Sequence, residues 1–234
     1  MLMKKFFARK ENNEFVFENE ELAHFNVVRC TVGEKILCLS GDGYDYLCEV
    51  ATVSKKRATA KILDVVENTK NPKVNITVFQ GLVKGEKLDL IVQKLTELGV
   101  SSLQTFESEF AVAKANNNKI DRLNKISTEA CKQCGRSIPL KIENNIKFNQ
   151  MIEQLKNYGL VLFANEKNTL RDVSELKNKN NIALIVGSEG GFSDKEIEKI
   201  YNAGAINFGL GARILRAETA CIAMSAIVGY MVGV

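Results

Sequence analysis

Two hydrophobic rhythms divide the chain. Up to residue 70 the apolar positions fall in short runs rich in β-branched residues. Lys35–Leu39, Tyr44–Val53 and Arg57–Val66 read as strands, and Ser40-Gly41-Asp42-Gly43 reads as the turn between the first two. Glu20–Arg29 reads as a short helix. Several short strands with tight turns predict a small β-barrel. Asn71-Pro72 ends this pattern, because Pro72 has no N–H to give a sheet and restricts the residue before it. Two domains are expected, 1–71 and 72–234.

Beyond Pro72 buried strands alternate with helices. The strands are Val74–Gln80, Leu103–Phe106, Leu160–Phe163, Ile182–Val186 and Ile206–Leu210, and the helices are Glu86–Gly99, Lys119–Cys134, Ser193–Gly204 and Ala217–Met231. In the first helix Leu88, Ile91, Val92, Leu95 and Leu98 share a face, and Gly99 stands where a C-terminal cap belongs. Such alternation predicts an α/β domain with a parallel sheet covered on both faces. Asn116–Lys119 and Lys177–Asn181 read as exposed loops.

Composition adds limits. The chain has 234 residues, of which 45% are hydrophobic, enough for a sizeable core. It has no apolar run of the length that spans a bilayer, roughly 18 residues, and Met1–Lys10 has no apolar leader behind its charges. The expectation is a cytoplasmic protein with no membrane contact, its apolar end Ala220–Val234 a buried helix. Cys131-x-x-Cys134 is the one close cysteine pair, and a zinc site needs four ligands. The sole histidine, His24, is distant, so no metal is expected. Net charge is +4, and all of the excess lies in residues 71–147, with 12 basic and 8 acidic side chains. That placement suggests a local anionic partner.

Two glycine-bearing loops follow predicted strands and open helices. The first is Val186-Gly187-Ser188-Glu189-Gly190-Gly191-Phe192, with Ser193 and Glu196 spaced as a capping box. It is either a plain capping turn or a ligand cradle at the carboxyl end of a sheet. It has neither phosphate-loop spacing, and Glu189 would repel a phosphate. A ligand with a positive centre, such as S-adenosylmethionine, fits better than a nucleotide. The second loop, Leu210–Ala220, carries Arg213 and Arg216, expected to be half-buried against Glu218 or Glu189, or else facing RNA. Glu218 and Thr219 are expected to serve the start of the last helix.

GSEGGFSxxE (Gly187–Glu196) and LGARILRAETA (Leu210–Ala220) resemble the SPOUT class of methyltransferases. QKLTELGV (Gln93–Val100), EACKQCGR (Glu129–Arg136) and His24-x-x-Val27-Val28-Arg29 with Gly33 resemble more narrowly the RsmE family, which methylates N3 of a uridine in small-subunit ribosomal RNA. The resemblance implies a PUA-like barrel followed by an α/β domain with a deep trefoil knot, dimerising through that domain. It implies that backbone at Leu162, Phe163 and Ala164, at Gly187, Glu189, Gly190 and Gly191, and at Leu210, Gly211, Ile214, Leu215 and Thr219 holds S-adenosylmethionine. Arg136 and Arg216 are the candidates to supply positive charge to the reacting uracil or to contact phosphate, with Glu97 and Glu218 candidates to orient them and Glu218 also a candidate base. Arg9, Lys10, Arg29, Lys84, Lys94 and Arg136 would contact 16S ribosomal RNA in the small subunit, with Lys55-Lys56-Arg57 a further candidate. Departures are Ser188 and Lys5, where the family usually has proline and arginine, and Ala23, where it often has histidine. The rival readings are a SPOUT enzyme acting on a ribose 2′-OH or a transfer RNA, a nucleotide-binding α/β protein, and an RNA-binding assembly factor without catalysis.

Overall fold

A computed structural model describes residues 3–113, 120–165, 176 and 179–234. The expected loop 116–119 and the first residues of the expected loop 177–181 lie outside them. The chain forms two compact units, Met1–Asn71 with Cys131–Pro139, and Pro72–Ala130 with Leu140–Val234.

The first unit is a curled six-stranded sheet, ordered β1-β4-β5-β6-β3-β2, with one helix. Its elements are β1 (Lys5–Phe7), β2 (Arg9–Glu11), β3 (Glu14–Phe17), α1 (Asn19–Val27), β4 (Lys35–Leu39), β5 (Tyr44–Val53) and β6 (Ala58–Glu67). The order begins at β1 and ends at β2, so the small barrel expected here takes the form of a curled half-barrel. Register shifts between Leu47 and Cys48 and between Val50 and Thr52 bend the long β5–β6 ribbon. Inside the curl Phe6, Phe15, Phe17 and Phe25 are wholly buried, with Phe17 and Phe25 ring centres 4.9 Å apart. The sequence pattern missed β1, β2 and β3 because each is only three or four residues long, too short for an alternation to register.

A segment from far along the chain completes this unit. Asn71 Oδ1 accepts the N–H groups of Ser137 (3.1 Å) and Ile138 (3.0 Å). Its Nδ2 donates to Ser137 Oγ at 2.8 Å, and Asn68 Nδ2 donates to Gly135 O at 2.9 Å. Lys132 Nζ is paired with Glu21.

The second unit holds β7 (Asn75–Gly81), α2 (Lys87–Glu97), β8 (Ser102–Glu107), the start of α3 (Ile120–Cys134), β9 (Lys141–Lys147), α4 (Phe148–Leu155), β10 (Leu160–Phe163), β11 (Asn181–Val186), α5 (Asp194–Asn202), β12 (Ile206–Asn207) and α6 (Ala217–Val232). Its sheet, ordered β12-β10-β11-β7-β8-β9, is parallel throughout. Successive strand residues serve opposite faces. Ile76, Val78, Ile182, Leu184 and Val186 join a core with Ile91, Val92 and Leu95 of α2 and Cys221, Met224 and Val228 of α6. Phe79, Ala183 and Ile185 join another with Met151 of α4 and Ile200 of α5. The sequence pattern missed β9, a polar edge strand with no buried residue, and α4, which is only eight residues long. The strand expected over Ile206–Leu210 pairs only at Ile206 and Asn207. Among the described residues no helix is long and apolar enough to cross a membrane.

Asn71→Ala should cost about 2 kcal/mol of stability, because it strands two N–H groups that now have an acceptor. Denaturant unfolding followed by signals from the first unit would measure this, and a loss near zero would mean that water replaces Asn71 freely.

Candidate active site

The carboxyl ends of β10 and β11 and the loop after β12 border one cavity of ≈ 560 Å³. Three stretches form its walls. They are Phe163–Asn165, Val186–Phe192 and Ile214–Ala217 with Ala220, and Lys87 and Ile197 complete the lining.

The glycine loop is shaped from both ends. Gly191 N–H donates to Ser188 O at 3.0 Å and closes a tight turn, with Gly191 at φ 70°. Phe192 then anchors the loop in the aromatic core, its ring 5.2 Å from Phe163 and stacked on Phe106 at 6.0 Å. Ser193 Oγ accepts Glu196 N–H at 3.4 Å and Glu196 returns to Ser193 N–H at 3.1 Å, so the expected capping box starts α5. Glu196 also accepts Glu109 N–H at 2.9 Å, which ties the loop to the end of β8.

The neighbouring strand ends make room for this loop. A Cβ on Gly81 would lie 2.4 Å from Ser188 N, and one on Gly190 would lie 2.5 Å from Phe110 O. Gln80, wholly buried, donates Nε2 to Gly187 O and to Gly81 O, each at 2.9 Å. Ser188 is buried with its Oγ 3.3 Å from Ser108 Oγ, a polar neighbour from the end of the next strand but one. None of Gln80, Gly81, Ser108 or Lys87 was singled out in the sequence. They lie on other elements, and their part depends on register across the sheet, which local spacing does not encode.

Glu189 meets Lys84 and Lys87 in place of the arginines of the second loop. Its Oε1 accepts Lys84 N–H at 3.1 Å and Lys87 Nζ at 2.8 Å. Partial burial disfavours the charged carboxylate, but these two donors outweigh it and hold its pKa below the ordinary 4.5. Its charge is therefore committed within the protein and does not stand free for a cation.

The second loop also departs from expectation. Arg213 and Arg216 are exposed, not half-buried, and neither has an ion-pair partner among the described residues. Glu218, with its side chain 12% exposed, faces Lys87 Nζ at 3.8 Å. Arg216 is the N-cap residue of α6 and its side chain makes no cap hydrogen bond, while Glu218 lies in the first turn, where its charge suits the helix dipole as expected.

Of the residues assigned to the cofactor, Phe163, Ala164, Gly187, Glu189, Gly190, Gly191, Ile214 and Leu215 line the cavity, and Leu162, Leu210, Gly211 and Thr219 do not. The side chain of Leu162 is buried in the core with Leu184. Arg216 lines the cavity, but Glu218, Glu97 and Arg136 do not. Glu97 is paired with Lys94 at 2.8 Å along α2. Arg136 belongs to the first unit and is only 3% exposed. Burial pushes its pKa down, against the opposing pull of Cys131 and Cys134. Both of those thiols are free, and burial pushes Cys131 up to about 12.

The candidate RNA contacts differ in availability. Arg9 is exposed but paired with Glu11 at 2.6 Å, and Arg57 meets the same carboxylate group at 3.1 Å. Lys10 Nζ donates to Tyr46 Oη at 2.9 Å and sits over its ring. Arg29, Lys55, Lys56 and Lys84 are exposed.

Comparison with known proteins agrees with this architecture along its length. Residues 69–229 match the RNA methyltransferase domain family, and residues 17–63 match the RNA methyltransferase PUA domain. Ribosomal RNA small subunit methyltransferase E of Bacillus subtilis is 30% identical over 232 residues, covering 93% of this chain and 91% of that protein. The enzyme of the same name from Buchnera aphidicola subsp. Acyrthosiphon pisum is 31% identical, covering 90% and 85%. The crystal structure of ribosomal RNA small subunit methyltransferase E from Neisseria gonorrhoeae, bound to S-adenosyl methionine, superposes with a TM-score of 0.88 at 27% identity, covering 99% of this chain and 98% of that one. The class is an RNA methyltransferase whose α/β domain follows a PUA domain. Within it, the chain belongs to the RsmE family of ribosomal RNA small subunit methyltransferases.

Gly81→Ala should cost about 1–3 kcal/mol, because the new methyl meets backbone, not a movable side chain. Unchanged thermal stability and unchanged hydrogen exchange at residues 187–192 would sink this account of the loop. Glu189 contributes stability above pH 4.5, and this is lost as pH falls through its lower folded value. Glu189→Gln should therefore flatten the acid-side decline in stability, by less than about 1 kcal/mol given its exposure.

Proposed function

We propose that this chain transfers a methyl group from S-adenosylmethionine to N3 of a uridine in 16S ribosomal RNA of the small ribosomal subunit. The observation that carries this reading is the convergence of three separate chain stretches on one cavity at the carboxyl ends of a parallel sheet. The donor set fits such a cofactor. Peptide groups of Phe163–Asn165 and Gly187–Gly191 offer hydrogen bonds to an adenosine and an amino acid, and Leu215, Ala217 and Ala220 offer an apolar wall. Neither phosphate-binding spacing is present in the glycine loop, which argues against a nucleotide.

When bound, the cofactor supplies an electrophilic methyl. The chain's own task is then electrostatic. N3 of uracil carries a proton, and losing it spreads negative charge over O2 and O4. A fixed cation beside those oxygens lowers the barrier. Arg216 is the residue for this role, because it lines the cavity, is exposed, and has no carboxylate paired with it among the described residues. Glu218 lies two residues further along the same helix start and orients the local charge through Lys87. Glu97, tied to Lys94, and Arg136, buried in the first unit, are given no direct part.

The same reading includes a knotted α/β domain and a homodimer formed through it. α6 supports the dimer, since Ile227 and Tyr230 stand exposed on an otherwise apolar helix. It also includes a cytoplasmic enzyme and RNA docking by the first unit, where Arg9, Lys10, Arg29, Lys55 and Lys56 are among the exposed cations.

Purified protein, S-adenosylmethionine and small-subunit particles lacking the modification should yield N3-methyluridine, read by mass spectrometry of digested RNA. Arg216→Ala should lower turnover about 100-fold, the scale of removing one oriented charge or donor. Wild-type turnover in that variant would remove the electrostatic account, and methylation of a ribose or a transfer RNA would replace the substrate assignment.

A further inference from the structure

One lysine stands between the two loops that wall the cavity. Lys87 is the first residue of α2, and its Nζ lies 2.8 Å from Glu189 Oε1 and 3.8 Å from Glu218 Oε2. Glu189 belongs to the loop after β11, and Glu218 belongs to the first turn of α6. Lys87 itself lines the cavity. We infer that Lys87 is a positioning residue for the cofactor site, in which a single ammonium bridges one carboxylate from each wall and sets the separation of the glycine loop from the Arg216–Glu218 turn. This inference rests on the proposed cofactor reading.

Three observations support it. Glu218 Oε2 is buried without a hydrogen bond, so among the described residues the facing charge of Lys87 is what offsets its desolvation. Glu189 receives a second donor, Lys84 N–H, from the same short segment, so the β7–α2 connection grips the loop at two points. The charge of Arg216 opposes that of Lys87 only weakly, and the two carboxylates offset it. The bridge thus joins α2 to both loops, and among the described residues no ion pair links one loop to the other. Binding a ligand between two walls costs less when their spacing is already set.

The position also separates two ways a lysine could act. A bare ammonium inside the cavity would repel a sulfonium and weaken binding of the methyl donor alone. A bridge that fixes spacing helps any ligand of that shape, charged or not.

The experiment is calorimetric titration of the full chain with S-adenosylmethionine and, separately, with S-adenosylhomocysteine, whose sulfur is uncharged. Lys87→Met should raise both dissociation constants by about tenfold, the scale of one charge-assisted contact. Lys87→Arg should recover most of that loss. Lys87→Met and Glu189→Gln should combine to less than the product of their separate effects, as expected for partners in one interaction. In methyl-transfer assays the KM for the donor should rise by a larger factor than kcat falls. Melting temperatures read alongside would identify a variant that merely unfolds, and Lys87→Arg then carries the test. If the wild type binds neither compound, the cofactor reading fails. If the wild type binds and Lys87→Met binds both equally well, or tightens on the charged donor alone, the bridge is wrong and the cofactor reading stands.

Discussion

The site depends on how closely the glycine loop lies against the end of β7. Position 81 carries only hydrogen, and the peptide of Ser188 occupies the space a methyl would take. The neighbouring Gln80 then spends its buried amide on Gly187 O. A loop of three glycines has many conformations available to it in isolation, and its disorder would cost ordering free energy at every binding event. Contact with two adjacent strand ends, closure by the Gly191–Ser188 turn and insertion of Phe192 into the aromatic core remove most of that freedom before any ligand arrives. The second wall is less constrained. Ile214 is 81% exposed, and the turn before α6 has no side-chain cap, so the two walls differ in stiffness.

Much of the fold was legible in the sequence because its strands are buried on both faces. Ile182–Val186 is a continuous apolar run, and a run of that kind between turn signals reads as a parallel strand whatever surrounds it, while Val74–Gln80 sets Val74, Ile76 and Val78 in alternation with Asn75 and Thr77. Glu86–Gly99 was legible for the opposite reason, since one face is apolar and the other is not. Elements with neither signature were lost. β9 is Lys-Ile-Glu-Asn-Asn-Ile-Lys, an edge strand whose residues stay half-wet, and the strands of the first unit's opening are too short to show a period.

The site was legible only where function and chain order coincide. Gly187–Gly191 and Ile214–Leu215 stand out because unusual residues crowd into a few positions. The residues that hold those loops in place are ordinary ones. A glutamine, a lysine and a serine draw their meaning from register between β7, β8 and β11, and register is a property of pairing across the sheet. The charges show the same limit. The sequence offered arginines as partners for Glu189 and Glu218, because four acidic and basic side chains in two loops invite that pairing. The lysine that meets both carboxylates comes from a helix about a hundred positions earlier in the chain, and proximity in sequence gave no hint of it.

The return of Cys131–Pro139 to the first unit has a consequence for how the protein is made. A ribosome emits the chain in order, and domains commonly fold as they emerge. Here the leading half-barrel reaches residue 71 with Asn71 still lacking the peptide groups that it will hold. Those groups are synthesised only after a further stretch that belongs to the other unit. The half-barrel therefore acquires its last segment when much of the catalytic sheet is still inside the ribosome. A truncation at the Asn71-Pro72 junction would also cut between partners and would not release an intact module.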